Sequence, residues 1–423
     1  MFDKLTQIWK AREVRNKILY VLGMLAIFRL LAHIPIPGVN EAALKSLFAS
    51  NQILGLMNLF SGGGMETFSI VMMGVAPYIT SSIIFQLLGM IVPSIEEMQK
   101  EEAGRQKINM WTRLLTVPLG ILQSYGMISL LRNSAAGLLE DGSAVQLGVM
   151  LITITAGTIL LMWIGELISE QKVGNGISLL IFAGIVAALP RMLQQIVVTF
   201  DQSQLFMLIG FAVITLITVV SVVIINEGQR NIPVQYARQI RGSRAFGGTS
   251  THLPLRVNMA GVIPIIFAIS VVLFPSMIAQ FLIHAKTAWI ASGAEMVITL
   301  FNNQLFYGIV YFLMVFAFTY FYTEVIFHPN QIAENLQKQG GFIPGIRPGK
   351  HTSDYLAATT HKIVLVGALF LGLIAVLPLV MQYITGIQAF AIGGTSLLIV
   401  VSVVIETVKQ IEAQLTMREY DGL

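Results

Sequence analysis

Long apolar runs separated by short polar breaks dominate the chain. Runs near residues 18–35, 70–92, 112–131, 146–165, 177–197, 205–225, 258–283, 305–327, 361–383 and 391–408 each approach the roughly 20 residues that a helix needs to cross a bilayer. Barrel strands would alternate apolar and polar positions over about 10 residues, and these runs do not. The pattern therefore predicts ten membrane-spanning helices. Between the fourth and fifth lies only ELISEQKVGNG, where Gly174 is placed to end one helix and Asn175 to cap the next. Ahead of the first run, Phe2, Leu5, Ile8 and Trp9 recur at helical spacing among Lys4, Lys10, Arg12 and Arg15, which predicts an amphipathic helix lying on the membrane surface. No removable signal peptide is expected there.

Composition agrees with a membrane protein. With 55% hydrophobic and 11% charged residues, the chain has too little polar surface to cover a soluble globule. It has no cysteine, which excludes disulfides, thiol catalysis and Cys-ligated metals. Of the 26 Lys and Arg, 21 fall on the side that also holds both termini, so the positive-inside rule makes both termini cytoplasmic. The net charge of +4 thus describes a basic cytoplasmic face. Two loops on that face are long, 226–256 and 328–355, and interleave basic residues with Gly and Pro. A few charges would suffice to fix topology, and the surplus suits a large acidic or anionic partner.

Chemistry is conspicuous by its scarcity inside the spans, where ionisable groups are costly and usually functional. Arg29 lies near the outer end of its span, from which it can snorkel, and Glu166, Glu324 and Glu406 lie near cytoplasmic ends. Glu166 and Glu170 share a helix face but read as a solvated helix end. The run GIRPGKHT imitates a phosphate loop, yet Pro344 replaces the first glycine and His351 follows Lys350. No His-Glu-x-x-His or Gly-x-Ser-x-Gly occurs, so neither an active site nor a cofactor is expected. Prolines 77, 118, 190, 264, 275 and 378 fall inside spans, as in a bundle around an internal passage. Ten helices also divide into two sets of five, an arrangement that suits inverted repeats. The triplet in LFSGGGMETFS, just before the second span, reads as a turn or a movable joint.

Several long motifs in order, GVAPYITSSIIFQLL (74–88), GNGISLLIFAGIVAALP (174–190), STHLPLRVNMAGVIPIIFA (250–268), LFPSMIA (273–279), GGFIPGIRPG (340–349) and GGTSLLIVVSVVIE (393–406), resemble those of the SecY family of protein-conducting channels. The resemblance implies an all-α integral membrane fold of ten helices in two pseudo-symmetric halves, 1–198 and 199–423, around an hourglass pore with a plug and a lateral gate. It implies a pore ring of Val75, Ile79, Ile181, Ile185, Ile266 and Ile399, with Val75 a departure from the usual isoleucine. The plug maps to Ser61, Gly62, Gly63, Gly64, Met65, Glu66, Thr67, Phe68, Ser69 and Ile70. The gate maps to Thr80, Gln86 and Phe274, with Gln86 free to bridge gate helices. Docking of partners maps to Arg347 and, less specifically, Arg230, Arg238 and Arg241. The implied partners are the small membrane subunits SecE and SecG, the SecA motor, the ribosome, signal-bearing preproteins and the lipid bilayer, in a bacterial cytoplasmic membrane. The implied activity is translocation of unfolded preproteins and lateral release of membrane proteins, driven by partners. The alternatives from composition are a secondary transporter of small solutes, which would need a polar mid-membrane site, and a scramblase or membrane scaffold, which would not need basic docking loops.

Overall fold

The computed structural model describes residues 9–40, 43–44, 48, 58, 61–134, 144–198, 205–236, 239–241, 244–246, 250–283, 287–385 and 388–421. Each of the ten apolar runs overlaps a helix: α1 (Arg12–Leu31), α2 (Ala76–Ile91), α4 (Glu102–Ser134), α5 (Ala144–Glu170), α6 (Gly176–Val198), α7 (Leu205–Glu227), α8 (Ile263–Leu282), α10 (Gln304–Ile326), α12 (Lys350–Thr385) and α13 (Gln388–Asp421). Shorter helices are α3 (Pro93–Lys100), α9 (Ala288–Asn302) and α11 (Pro329–Lys338). Among the described residues five helical stretches are long and apolar enough to span a bilayer, and α2 with α3 makes a sixth, bent by 109° at the break before Pro93. That bend lays the charged helix α3 across one end of the bundle.

Local chemistry sets the helix ends. The predicted second span starts at residue 70, but 61–75 is a chain of turns and α2 begins only at Ala76. Hydropathy cannot see the cause: Gly74 is left-handed at φ 56, and Pro77 belongs in a first turn, where its missing N–H costs nothing. Pro264 likewise opens α8, so these two prolines start helices, whereas Pro118, Pro190, Pro275 and Pro378 lie within them. Between α5 and α6 the residue with positive φ is Lys172 rather than Gly174, and Asn175 accepts from the Ser178 N–H at 3.2 Å, as a cap should. Of the predicted amphipathic N-terminal helix, Arg12 and Arg15 instead belong to α1 itself, and residues 1–8 lie outside the described ones.

Helices α1, α2, α4, α5 and α6 pack among themselves, as do α7, α8, α10, α12 and α13. Two seams join the groups: α8 against α2 and α4, and α13 against α6 and α1. One continuous buried core runs through both groups. At the end where α7 stops, residues 226–256, read from sequence as a loop, fold into strands. β1 (Gln229–Tyr236) pairs antiparallel with β4 (Ser250–Arg256) and, on its other edge, with β5 (Gly341–Phe342), while β2 (Gln239–Arg241) pairs with β3 (Arg244–Phe246). In β1 the alternation buries Ile232 and Val234, which join Leu255, Ile343 and Leu356 in a second, separate core.

Candidate functional site

Four helices bring six aliphatic side chains into the bundle's interior. Val75 sits at the N-cap of α2 and Ile79 one turn on, tied by the Ile79 N–H to the Val75 carbonyl at 3.1 Å. Ile181 and Ile185 share a face of α6, Ile266 is in the first turns of α8, and Ile399 is in α13. All six are buried and belong to the same core cluster, Ile181 and Ile399 with no exposure at all. Aliphatic groups of this kind offer water no partner, so a constriction built from them resists wetting.

Segment 61–70 lies in that same cluster through Met65 and Phe68, both almost fully buried. Burying each such side chain stabilises by roughly 1.5–3 kcal/mol. The stretch after α1, AHIPIPG, runs alongside it, bridging antiparallel at Pro35 and Ser69: Ile36 N–H donates to the Phe68 carbonyl at 2.9 Å, Ile70 N–H to the Ile34 carbonyl at 3.1 Å, and the Thr67 hydroxyl to the Ala32 carbonyl at 2.8 Å. Arg29 does not snorkel outward as its place in the span suggests. Its Nη1 donates to the Gly62 carbonyl, which the turn beside it presents. From just ahead of the segment, Asn58 braces Glu66 twice, at 3.0 and 3.2 Å.

The glycines here differ in kind. Gly62 and Gly63 are left-handed, at φ 70 and 82. Only Gly62 is also crowded, since a Cβ there would meet Phe28 Cζ at 2.5 Å and Gly184 Cα of α6 at 3.2 Å. A Cβ on Gly157 of α5 would stand 1.9 Å from the Ile70 carbonyl oxygen, so that helix can touch the segment only with glycine at this position. Phe68 has φ 46, a left-handed conformation costing a bulky residue of order 1–3 kcal/mol.

Along the α2, α4 and α8 seam the polar groups predicted as a gate are spoken for within one group of helices. The Thr80 hydroxyl donates to Ala76 and accepts from Gln123 of α4 at 3.2 Å, and Ser81 donates to the Thr112 carbonyl at 2.7 Å. Gln86 donates to Ser82 on its own helix at 3.1 Å rather than bridging to another, and its Oε1 is buried without a partner among the described residues. Phe274 of α8 is 38% exposed. The opposite seam carries polar stitches: Gln414 of α13 donates to the Lys172 carbonyl at 2.5 Å and accepts from Lys17 of α1 at 3.4 Å.

At the strand end, Arg347 is exposed on a braced turn. Its carbonyl accepts from the Thr352 hydroxyl at 2.9 Å, and Ile346 packs onto the second core. Arg230 is exposed on β1, the side chain of Arg241 on β2 is not described, and Arg238 lies outside the described residues. Nearby, α3, α11 and the adjoining ends of α10 and α12 border an open cleft of about 390 Å³ lined by Glu96, Lys100, Glu324, His328 and His361. The hydrogen bond from Lys100, then its charge, hold the Glu96 carboxyl below its ordinary pKa. The Glu166 carboxylate, expected to be solvated, instead meets Arg113 of α4 at 2.6 Å. Sequence reasoning missed this pair, Arg29 with Gly62, and Gly157. For Gly157 the signal was there, a small residue inside an apolar span.

The SecY family model matches residues 69–408. The protein translocase subunit SecY of Halalkalibacterium halodurans is 43% identical over 435 residues, covering 100% of this chain and 99% of that protein. A solved structure concerning the SecY plug domain, which stabilises the closed state of that channel and maintains a membrane seal, aligns with a TM-score of 0.62 at 18% identity over 94% of this chain and 91% of the other. A chain of the idle yeast Ssh1 complex bound to the yeast 80S ribosome aligns with a TM-score of 0.62 at 14% identity, over 93% and 89%.

Proposed function

The chain belongs to the SecY family, and from that premise we propose that it is the channel subunit through which unfolded polypeptides cross, or enter, the bacterial cytoplasmic membrane. The observation that supports this reading is that six aliphatic residues from four helices and a turn-rich segment, 61–70, are buried in one and the same core. In the resting channel, segment 61–70 is the plug, and Val75, Ile79, Ile181, Ile185, Ile266 and Ile399 are the ring. An arriving polypeptide displaces the plug, breaking its bonds to Ala32, Ile34 and Ile36, each of which contributes about 1 kcal/mol net, and the charged bond from Arg29, which contributes roughly 1.5–3 kcal/mol. Release also relieves the strained Phe68, which lowers the cost of opening. The ring then closes around the moving chain by rotamer changes alone, excluding water without selecting sequence.

Residues 1–198 and 199–423 act as two halves. The Gln414 stitches favour opening like a book, with the α2, α4 and α8 seam parting toward lipid near Thr80, Gln86 and Phe274. An apolar segment of the passenger leaves there, driven by its own burial. The strand end faces the cytoplasm with both termini, and Arg347, Arg230, Arg238 and Arg241 offer positive charge to the ribosome or to SecA. SecE and SecG complete the complex, and the chain itself performs no chemistry, its energy coming from partners. A small-solute transporter would require an ionisable mid-membrane site, and no observation favours one.

The test is protease protection of a secretory precursor in proteoliposomes holding this chain with SecE, SecG and SecA. ATP-dependent protection is expected. Absence of protection, with SecA active on another channel and the complex assembled, would overturn the proposal.

A further inference from the structure

Helix α9 lies at the end of the bundle away from the strands, because α8 leaves the strand end and α10 returns to it. Its 15 residues span about 22 Å, short of the roughly 30 Å of a bilayer core, and its neighbours already make the two crossings. Asn303 both ends α9 and caps α10, and Phe301 meets Phe306 edge-on at 5.5 Å, so the helix is held close against the end of the bundle.

At 100° per residue, α9 divides into three faces. Ile290, Ala294, Val297, Ile298 and Phe301 are buried or half-buried toward α8 and α10. Ser292, Glu295, Thr299 and Asn302 form an exposed polar face. On the third face stand Trp289, Met296 and Leu300, exposed at 76%, 66% and 39%. The adjoining ends of the neighbouring helices also expose apolar residues, Ile278 and Leu282 of α8 and Leu305 and Ile309 of α10. One face toward protein, one apolar and one polar, with tryptophan in the apolar face, is the pattern of a helix lying in the plane where lipid meets water.

We propose that α9 is an interfacial helix that sinks the stripe of Trp289, Met296 and Leu300 into the bilayer leaflet opposite the strands, fastening that end of α8 to the lipid surface. Having no Lys or Arg, α9 binds by apolar burial and does not depend on anionic headgroups.

The chain's lack of cysteine allows a direct test on the full-length protein in phosphatidylcholine vesicles. Spin labels are placed at Met296→Cys and, separately, at Glu295→Cys. The Met296 label is expected to relax with oxygen and to be shielded from a water-soluble nickel reagent, and the adjacent Glu295 label to show the reverse. Equal access of nickel to both labels would overturn the proposal, as would a Met296 label shielded from both reagents, which would mean that protein covers the stripe. A variant retaining Trp289 alone of the four tryptophans gives a second readout should a labelled form fail to fold. Bromines near the lipid headgroup should quench its fluorescence more than bromines at the chain end, and no quenching from either depth would refute embedding.

Discussion

Replacing Gly157 by alanine probes the seal from a helix that contributes no ring residue. By propensity alone the change should strengthen α5 by about 1 kcal/mol. The structure predicts the opposite effect on the channel. The new Cβ would stand 1.9 Å from the Ile70 carbonyl oxygen and 2.8 Å from its carbonyl carbon, both backbone atoms that cannot rotate away. The segment must withdraw by about 1.5 Å to restore ordinary contact distances. That displacement stretches the 3.1 Å bond from Ile70 N–H to Ile34 beyond hydrogen-bonding range, and the 2.9 Å bond between Ile36 and Phe68 is the next to yield. Losing both costs about 2 kcal/mol, which multiplies the displaced population by about 30. Resting ion conductance of reconstituted vesicles should rise by a factor of that order, with helicity unchanged. An unchanged conductance together with a higher Tm would refute the reasoning, since helix propensity alone would then account for the variant.

Gly62→Ala and Gly63→Ala impose similar left-handed strain, of order 1–2 kcal/mol, but only the first adds a collision with Phe28, so only it should leak strongly in the same conductance assay; equal leaks would remove that contact from the account. Arg29→Ala deletes a charged donor to the Gly62 carbonyl, worth roughly 1.5–3 kcal/mol, and should raise resting conductance while precursor transport persists; a tight channel would show that the bond does not hold the segment. Arg347→Glu, on a turn whose bracing is all backbone and hydroxyl, should lower SecA-driven transport severalfold without changing Tm, and wild-type transport rates would remove Arg347 from the docking surface.

The helices were legible because hydropathy reports what a bilayer demands, and each predicted run overlaps one. What hydropathy could not report is where backbone geometry overrides apolarity: Ile70 to Val75 are apolar enough to read as helix, yet Gly74 and Pro77 hold that stretch in turns until Ala76. Partners invisible to a linear reading redirected two charges, Arg29 inward to Gly62 and Glu166 to Arg113, because each finds its mate on a segment distant in the chain. Residues 226–256 were read as loop from their Gly, Pro and Arg content, although the alternation around Ile232 and Val234 already carried a strand signal. No periodicity distinguishes Ile181 or Ile399 from any other core aliphatic. Only the family resemblance selected them, and their burial in one cluster is compatible with a ring without assigning its function.

The central claim is that these buried aliphatic residues are the inner wall of a polypeptide path. A secretory precursor carrying one cysteine, stalled midway in the assembled complex, offers the most direct test. Disulfide formation with Ile185→Cys and Ile399→Cys is predicted, although both positions are sealed at rest, while Ile152→Cys on the outward face of α5, 72% exposed, should not react. Cross-linking at Ile152→Cys with none at Ile185→Cys or Ile399→Cys would contradict the account.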